Sequence, residues 1–163
     1  MSKSTSKLAV PIADDAAKPV GMTAAAGFQV GVRRTFPVSR EAAWSLLTSP
    51  QGMMVWLGKF QSLEFKPGTT YTSKEGNHGE IRVVKPGEQV RLTWQRPGWS
   101  HPSTVQIRLL EAKTGTTISF HQEKLTDIQQ REQMKAYWEE AADHIRQQLA
   151  ADGSKAWPQR MDH

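Results

Sequence analysis

Apolar residues occupy alternate positions in the first patterned segment of the chain, with the period of a half-buried strand. Its members are Phe28, Val30, Val32 and Phe36. After Pro37, Ser39 precedes a short apolar segment and is predicted to cap a helix. Ser49 followed by Pro50 predicts a second short helix, which ends near Trp56. The pattern therefore predicts one strand followed by two short helices.

Glycine and proline turn signals separate segments of strand length from Phe60 onward. Four of these segments carry apolar residues at alternate positions, namely Ile81 and Val83, then Val90, Leu92 and Trp94, then Val105, Ile107 and Leu109, then Ile118 and Phe120. The positions between them are mostly polar. About six further antiparallel strands are predicted, with one covered face and one face toward water.

The apolar period changes from 2 to 3.6 residues after Leu125, which indicates a long helix. Thr126 and Gln129 have the spacing of a capping box at its start. One apolar stripe follows, made of Met134, Trp138, Ala141, Ile145 and Leu149. A helix of about 24 residues is about 36 Å long, which is enough to cross the sheet.

Together these elements predict an α+β fold in which the long C-terminal helix crosses a curved antiparallel sheet of about seven strands. Because one helix cannot fill the concave side of such a sheet, a wedge of space is expected beside it. Residues 1–27 lack hydrophobic periodicity, and Gly153 with Pro158 ends the helical pattern. The expected organisation is a domain at 28–150 between flexible tails at 1–27 and 151–163.

Composition and charge exclude several classes of protein. The 163 residues include no cysteine, which rules out disulfides and thiolate chemistry. The longest apolar run, Met53–Leu57, is far shorter than a membrane-spanning helix. The net charge is +5, but basic and acidic residues are interleaved, unlike the basic stripe of a nucleic-acid reader. We expect a soluble, cytoplasmic protein without a membrane span, a nucleic-acid partner or a cofactor, as a monomer or a weak dimer.

Several segments together resemble one family. FQVGVRRTFPVSREAAWSLLTSPQGMMVWLG at 28–58 is followed by KPGTTY, GEIRVVKPGEQVRLTW, a PGW turn, PSTVQIRLLEAKTGTTISFHQEKL and a helix with Tyr137-Trp138. Across 28–150 the chain resembles the SRPBCC or START-like superfamily, with its Bet v 1-like helix-grip fold, in the branch of the heat-shock-protein ATPase activator homologues. Related chains often have glycine where this chain has Tyr137, so any pocket beside this ring is expected to be narrower.

Aromatic rings and a thioether on the covered face suit a site for planar or acyl ligands. The candidate ligand contacts are Trp56, Tyr71, Val83, Trp94, Ile107, Phe120, Met134 and Trp138. Arg34 follows the alternation of the apolar residues around it. It therefore either reaches the surface at the strand end or anchors an acidic group of the ligand. Trp99, in a loop bracketed by prolines, is either a lid or a loop anchor.

Two histidine–glutamate pairs are candidates for acid–base chemistry or for a metal site. His78 with Glu80, and His121 with Glu123, are two residues apart on predicted strands, so each pair projects from one face. Polar neighbours of His121 favour a solvated pair. No dense metal-ligand spacing is present in the sequence, and no metal is expected.

The preferred hypothesis is non-enzymatic binding of a small hydrophobic molecule between the long helix and the sheet, driven by burial of apolar surface. The resemblance implies two alternatives. One is an interaction module that assists a chaperone, a heat-shock ATPase, in a stress response. The other is a polyketide cyclase-like enzyme in which Arg34, His78 or Glu80 acts as an acid or a base.

Overall fold

Ten elements of secondary structure follow one another in a computed structural model that describes residues 22–23 and 27–151. In chain order they are β1 (Met22–Thr23), β2 (Gly27–Phe36), α1 (Arg40–Leu47), α2 (Pro50–Trp56), β3 (Thr70–Thr72), β4 (His78–Lys85), β5 (Gln89–Trp94), β6 (Ser103–Ala112), β7 (Gly115–Leu125) and α3 (Ile128–Ala151). Gly153, Pro158 and most of the two expected tails lie outside the described residues.

The strands form one antiparallel sheet in the order β1-β2-β7-β6-β5-β4-β3. Six strands of three or more residues make up the body of this curved sheet, and the two-residue β1 extends its edge beside β2. Five strands, not about six, follow the first two helices, because residues 58–69 form no strand. The predicted α+β helix-grip architecture is confirmed, although β1 lies in a segment that was expected to be a tail.

The caps predicted for the two short helices are both present. The Ser39 hydroxyl accepts a hydrogen bond from the amide of Ala42 at 3.1 Å, and the Ser49 hydroxyl accepts one from the amide of Gly52 at 3.1 Å. Each serine thereby satisfies one of the backbone donors that a helix start leaves unpaired. The two caps therefore fix where α1 and α2 begin.

The long helix has the predicted length of 24 residues, but its cap differs from the prediction. The Asp127 carboxylate accepts from the amide of Gln130 at 2.8 Å, and the Gln130 side-chain oxygen accepts from the amide of Thr126 at 3.1 Å. The predicted pair of Thr126 with Gln129 is wrong by one residue, because Asp127 takes the N-cap position before Ile128. No helix in the described part of the chain is long and apolar enough to cross a membrane.

The apolar stripe of α3 is buried against the sheet. α3 packs on β2 and β7, α1 packs on β6 and β7, and α2 packs on α3. Arg131 ties the start of α3 to β2, since its Nε donates to the carbonyl oxygen of Gln29 at 2.9 Å. The five stripe residues, all buried, are Met134, Trp138, Ala141, Ile145 and Leu149. The predicted cover for the apolar face of the sheet is therefore in place.

A bulge in β4 changes which residues face the core. Ile81 pairs with Leu92, but Val83 pairs with Arg91, so one residue between them has no partner in register. Val84 then packs against the core, whereas Val83 lies on the face of Arg91. The prediction that Ile81 and Val83 share a face is wrong, because a bulge inserts one residue and reverses the alternation after it.

Gly52 allows α1 and α2 to meet closely, and this contact gives a test of the fold. A Cβ atom at Gly52 would collide with the carbonyl oxygen of Leu46, whereas a Cβ at Gly31 would meet nothing nearer than 3.9 Å. We expect Gly52→Ala to lower the free energy of unfolding by about 1–3 kcal/mol, the usual cost of overpacking. Gly31→Ala should leave it unchanged or raise it by up to about 1 kcal/mol. Urea unfolding measures both, and equal effects would contradict this packing.

Candidate functional site

Four rings fill the space between α3 and the sheet, and we call them the aromatic cluster: Trp94, Phe120, Tyr137 and Trp138. Phe120 and Trp138 stack with ring centroids 5.2 Å apart and planes inclined by 20°. The Trp94 ring meets Trp138 edge-on with centroids 5.5 Å apart, and it is tilted by 58° against Tyr137 with centroids 5.3 Å apart. Offset and edge contacts at these distances add to the stabilisation that burial gives. Part of the wedge expected beside the helix is therefore occupied by side chains.

A chain of buried hydrogen bonds runs beside the rings from the helix to the sheet. Trp138 Nε1 donates to Gln122 Oε1 at 2.9 Å, and Gln122 Nε2 donates to Ser103 Oγ at 2.8 Å. Ser103 Oγ in turn donates to the carbonyl oxygen of Trp94 at 2.7 Å. Every polar group in this chain has a partner, which offsets its loss of contact with water.

Trp94 is the exception in the aromatic cluster. Its side chain is fully buried, and Nε1 has no hydrogen-bond acceptor among the described residues. Leaving a buried donor unpaired costs about 1–3 kcal/mol. Buried polar groups in native proteins rarely stay unpaired, so this donor requires an explanation.

Tyr137, at the edge of the aromatic cluster, also lines a surface groove between α2 and α3. Its hydroxyl donates to the carbonyl oxygen of Trp56 at 2.7 Å, which holds the ring across the end of α2. The groove has a volume of about 510 Å³, within the range of small-molecule sites. It is lined by Gln51, Met54, Val55, Tyr137, Glu140, Ala141, His144, Gln147 and Gln148.

Arg96 covers the aromatic cluster from the loop between β5 and β6. The amide of Trp99 donates to the carbonyl oxygen of Arg96 at 3.1 Å, and Gly98 has φ +87°, as in a type II turn with Pro97 at its second position. This turn directs the Arg96 guanidinium over the Tyr137 ring, with Cζ 5.2 Å from the centroid.

The Arg96 guanidinium has weak partners in this position. Its Nη1 lies 3.6 Å from the Met134 sulfur, and thioethers are weak acceptors. Among the described residues no carboxylate oxygen lies within 4.0 Å of it. A cation–π contact and a thioether are therefore what hold this charge beside the aromatic cluster.

Most of the candidate contacts from the sequence lie together in the core. Trp56 donates from Nε1 to the carbonyl oxygen of Leu47 at 2.9 Å, and the Tyr71 hydroxyl donates to the carbonyl oxygen of Thr93 at 2.5 Å. Ile107 lies opposite Phe120 across the β6–β7 pair. The buried candidates are Trp56, Tyr71, Trp94, Ile107, Phe120, Met134 and Trp138.

Two candidate residues lie elsewhere. The bulge in β4 puts Val83 on the outer face of the sheet with Arg91. Arg34 has the expected position in the alternation of β2, but its Nη1 donates to the carbonyl oxygen of Arg33 at 2.8 Å, an exposed contact. Arg34 thus reaches the surface, and Arg96 is the arginine in contact with the aromatic cluster.

The acid–base candidates do not converge on one point. Arg34 is on β2, whereas His78 and Glu80 are on β4, and three strands separate β2 from β4 in the sheet. Glu80 forms an exposed ion pair with Arg82 at 3.3 Å. His121, on the outer face, makes a 3.1 Å hydrogen bond with Gln29 through Nε2. These positions give no shared centre for proton transfer to one substrate.

Sequence reasoning missed Arg96, Gln122 and Ser103. Gln122 follows Phe120 by two residues on one strand, so the alternation itself places its amide on the covered face and could have indicated a buried polar partner. Arg96 precedes a Pro-Gly pair, which signals a turn but not where the arginine points.

Comparison with known proteins identifies the family. The family model described as "Activator of Hsp90 ATPase homolog 1-like protein" matches residues 37–150. The chain belongs to this family. No match is found among curated proteins.

Solved structures share the fold of this Hsp90-activator-like domain. DynU16, a protein of the dynemicin biosynthetic locus, has a TM-score of 0.66 and 18% identity over 75% of this chain, which spans only 47% of DynU16. MLL2253 from Mesorhizobium loti has a TM-score of 0.65 and 25% identity, covering 76% of this chain and 97% of its own. An HSP90 activator from Plasmodium falciparum has a TM-score of 0.62 and 16% identity, covering 75% and 96%.

Burial of the two tyrosines gives a test of the site by pH titration. Burial raises the pKa of Tyr137 from its ordinary value of 10.0 to about 12, against the opposing effect of the Arg96 charge. Burial also raises the pKa of Tyr71, and Tyr137 adds to that rise. Since the chain has 2 tyrosines, ultraviolet absorbance of the native protein should show no phenolate forming near pH 10.0. Arg96→Gln should raise the pKa of Tyr137 further, and Arg82→Gln should not.

The same shift fixes the direction of the pH effect on stability. The unfolded chain loses the phenol proton near pH 10.0 while the folded chain keeps it to about 12. The contribution of the buried Tyr137 phenol to the free energy of unfolding is therefore complete below pH 10.0, and it is lost as the pH rises to about 12. A native tyrosine that titrates at its ordinary pKa would contradict the burial of these rings.

Proposed function

We propose that the protein binds a small hydrophobic molecule, aromatic or acyl, at the aromatic cluster between α3 and the sheet. The observation that carries the proposal is the buried indole N–H of Trp94, which has no acceptor among the described residues. A ligand with a carbonyl, carboxylate or phenolate oxygen would supply that acceptor and remove a cost of about 1–3 kcal/mol.

The groove between α2 and α3 gives such a ligand a route to the aromatic cluster. Tyr137 contacts Trp94 and also lines the groove, so movement of one ring would join the groove volume of about 510 Å³ to the buried rings. Breaking the hydrogen bond from Tyr137 to Trp56 would cost about 1 kcal/mol. Burial of apolar ligand surface, at about 25 cal/mol per Å², would offset that cost after roughly 40 Å².

Arg96 favours ligands that carry a negative charge. Its guanidinium has a thioether as acceptor, so a carboxylate that replaced Met134 would gain a charge-assisted hydrogen bond. The ligand we propose therefore has an apolar body and an acidic or strongly accepting head group, with Trp94 and Arg96 as the two donors.

A second candidate function comes from the family description, which names an activator of an ATPase. Met54 favours it, because its side chain is 57% exposed in the groove and large exposed hydrophobic side chains often mark protein contacts. In that case Met54→Glu would reduce stimulation of a heat-shock ATPase by this protein. A wild-type protein that leaves the ATPase rate unchanged would remove this candidate.

Calorimetric titration of the full chain with naphthoic acid tests the ligand-binding proposal. We expect saturable binding, and we expect Trp94→Phe to weaken it about fivefold, since one hydrogen bond of about 1 kcal/mol is lost. Tyr137→Ala should strengthen binding about fivefold, because it removes the ring whose displacement costs about 1 kcal/mol. Naphthamide should bind more weakly than naphthoic acid, and Arg96→Gln should reduce that difference.

Val83→Ala is the matched control, because this candidate from the sequence lies on the outer face of the sheet. It should leave the affinity for naphthoic acid unchanged. The proposal is wrong if neither probe binds to the wild type or to Tyr137→Ala, or if Trp94→Phe and Val83→Ala weaken binding equally.

A further inference from the structure

A second depression opens on the opposite, solvent-facing side of the sheet, away from the aromatic cluster. Its volume is about 420 Å³, and we call it the outer depression. It is lined by Gly31, Arg33, Gln106, Arg108, Ser119 and His121. These residues come from the adjacent strands β2, β7 and β6, which together form the floor of the depression.

Strand register explains why the surface is hollow there. Arg33 of β2 pairs with Ser119 of β7, which pairs with Arg108 of β6. Directly paired residues project from the same face of a sheet, so a short serine lies between two long arginines. In the neighbouring row, Gly31 pairs with His121 and contributes no side chain. Small residues therefore form the floor while long side chains form the rim.

The outer depression is lined by groups that can donate hydrogen bonds. Each arginine offers five N–H donors in a planar fork, and Gln106 and Ser119 also carry donors. His121 is held by its 3.1 Å contact with Gln29, which fixes the imidazole at the rim.

None of the residues that line the outer depression carries a carboxylate. Neither Arg33 nor Arg108 has a carboxylate oxygen within 4.0 Å among the described residues. Glu123, on a neighbouring part of the same face, lies 3.9 Å from Arg91 instead. Two positive charges thus face a polar hollow without a counter-charge in its lining, which is complementary to a dianionic oxyanion.

We propose that the outer depression binds the phosphate group of a small phosphomonoester. Arg33 and Arg108 grip the phosphate oxygens from two sides, and the Ser119 hydroxyl donates from the floor. Guanidinium forks match phosphate geometry in a way that the point charge of a lysine does not. The hollow is larger than one phosphate, so it also has room for a small polar organic part beside Gln106 and Gly31.

Titration of the full chain at low ionic strength with inorganic phosphate and with glycerol phosphate tests this site. We expect saturable binding that Arg33→Gln with Arg108→Gln weakens about tenfold or more, since two charge-assisted contacts are lost. The matched control replaces Arg82 and Lys85 by glutamine, which removes the same charge from an exposed part of β4. That control should weaken binding clearly less than the first double variant, because Arg82 and Lys85 do not line the outer depression and cannot contact a phosphate bound there.

Equal affinity for the two compounds supports recognition of phosphate alone, and tighter binding of glycerol phosphate supports a site for the ester. Three results would overturn the inference: no binding of either compound, equal weakening by the two double variants, or tighter binding of a glutamate-rich peptide. The last would assign the face to an acidic protein segment. None of these results depends on whether naphthoic acid binds at the aromatic cluster.

Discussion

Trp138 joins the long helix to the sheet through two contacts of different kinds, and the rest of the fold depends on both. Its ring stacks on Phe120 at 5.2 Å, and its Nε1 donates to Gln122 at 2.9 Å. An indole buried without a partner for its N–H would forfeit part of what its burial contributes. The amide of Gln122 therefore fixes the position of the Trp138 side chain, and with it the middle of α3, on β7.

This constraint extends into the candidate site. Gln122 donates a hydrogen bond to Ser103, and Ser103 donates one to the carbonyl oxygen of Trp94. One chain of hydrogen bonds therefore links α3, β7, β6 and β5. The carbonyl oxygen of Trp94 is hydrogen-bonded to Ser103, yet its indole N–H has no acceptor in the part of the chain that the structure describes. Functional sites are where a protein tolerates such an unsatisfied group, since a ligand can complete it. The hydrogen-bonded chain that orders the core thus ends at Trp94, whose ring contacts Tyr137.

The sequence predicts the helices well where one local rule decides the structure, although the capping box of α3 is shifted by one residue. The stripe from Met134 to Leu149 follows from helical period, and the caps at Ser39 and Ser49 follow from backbone donors that need an acceptor. These features place the helices and define the covered face of the sheet. The family resemblance agrees with the match over residues 37–150.

Features that depend on register or on the path of a loop could not be predicted in this way. Alternation assigns Val83 to the core, but the bulge reverses it. The position of Arg96 depends on how a turn docks onto α3, and the unpaired N–H of Trp94 depends on every neighbour at once. Seven of the nine candidate contacts are buried in the core. The structure was needed to identify the two proposed donors to a ligand, the Trp94 indole N–H and the Arg96 guanidinium.

The most direct measurement follows the indole N–H resonances in a proton–nitrogen correlation spectrum of the full chain. The resonance of Trp94 is assigned by its absence in Trp94→Phe, and that of Trp138 by its through-space contact with the stacked ring of Phe120. On addition of naphthoic acid, the Trp94 resonance should move downfield because its N–H gains an acceptor. The Trp138 resonance should stay in place because its N–H remains hydrogen-bonded to Gln122. A Trp94 resonance that does not move at saturating naphthoic acid would contradict the account.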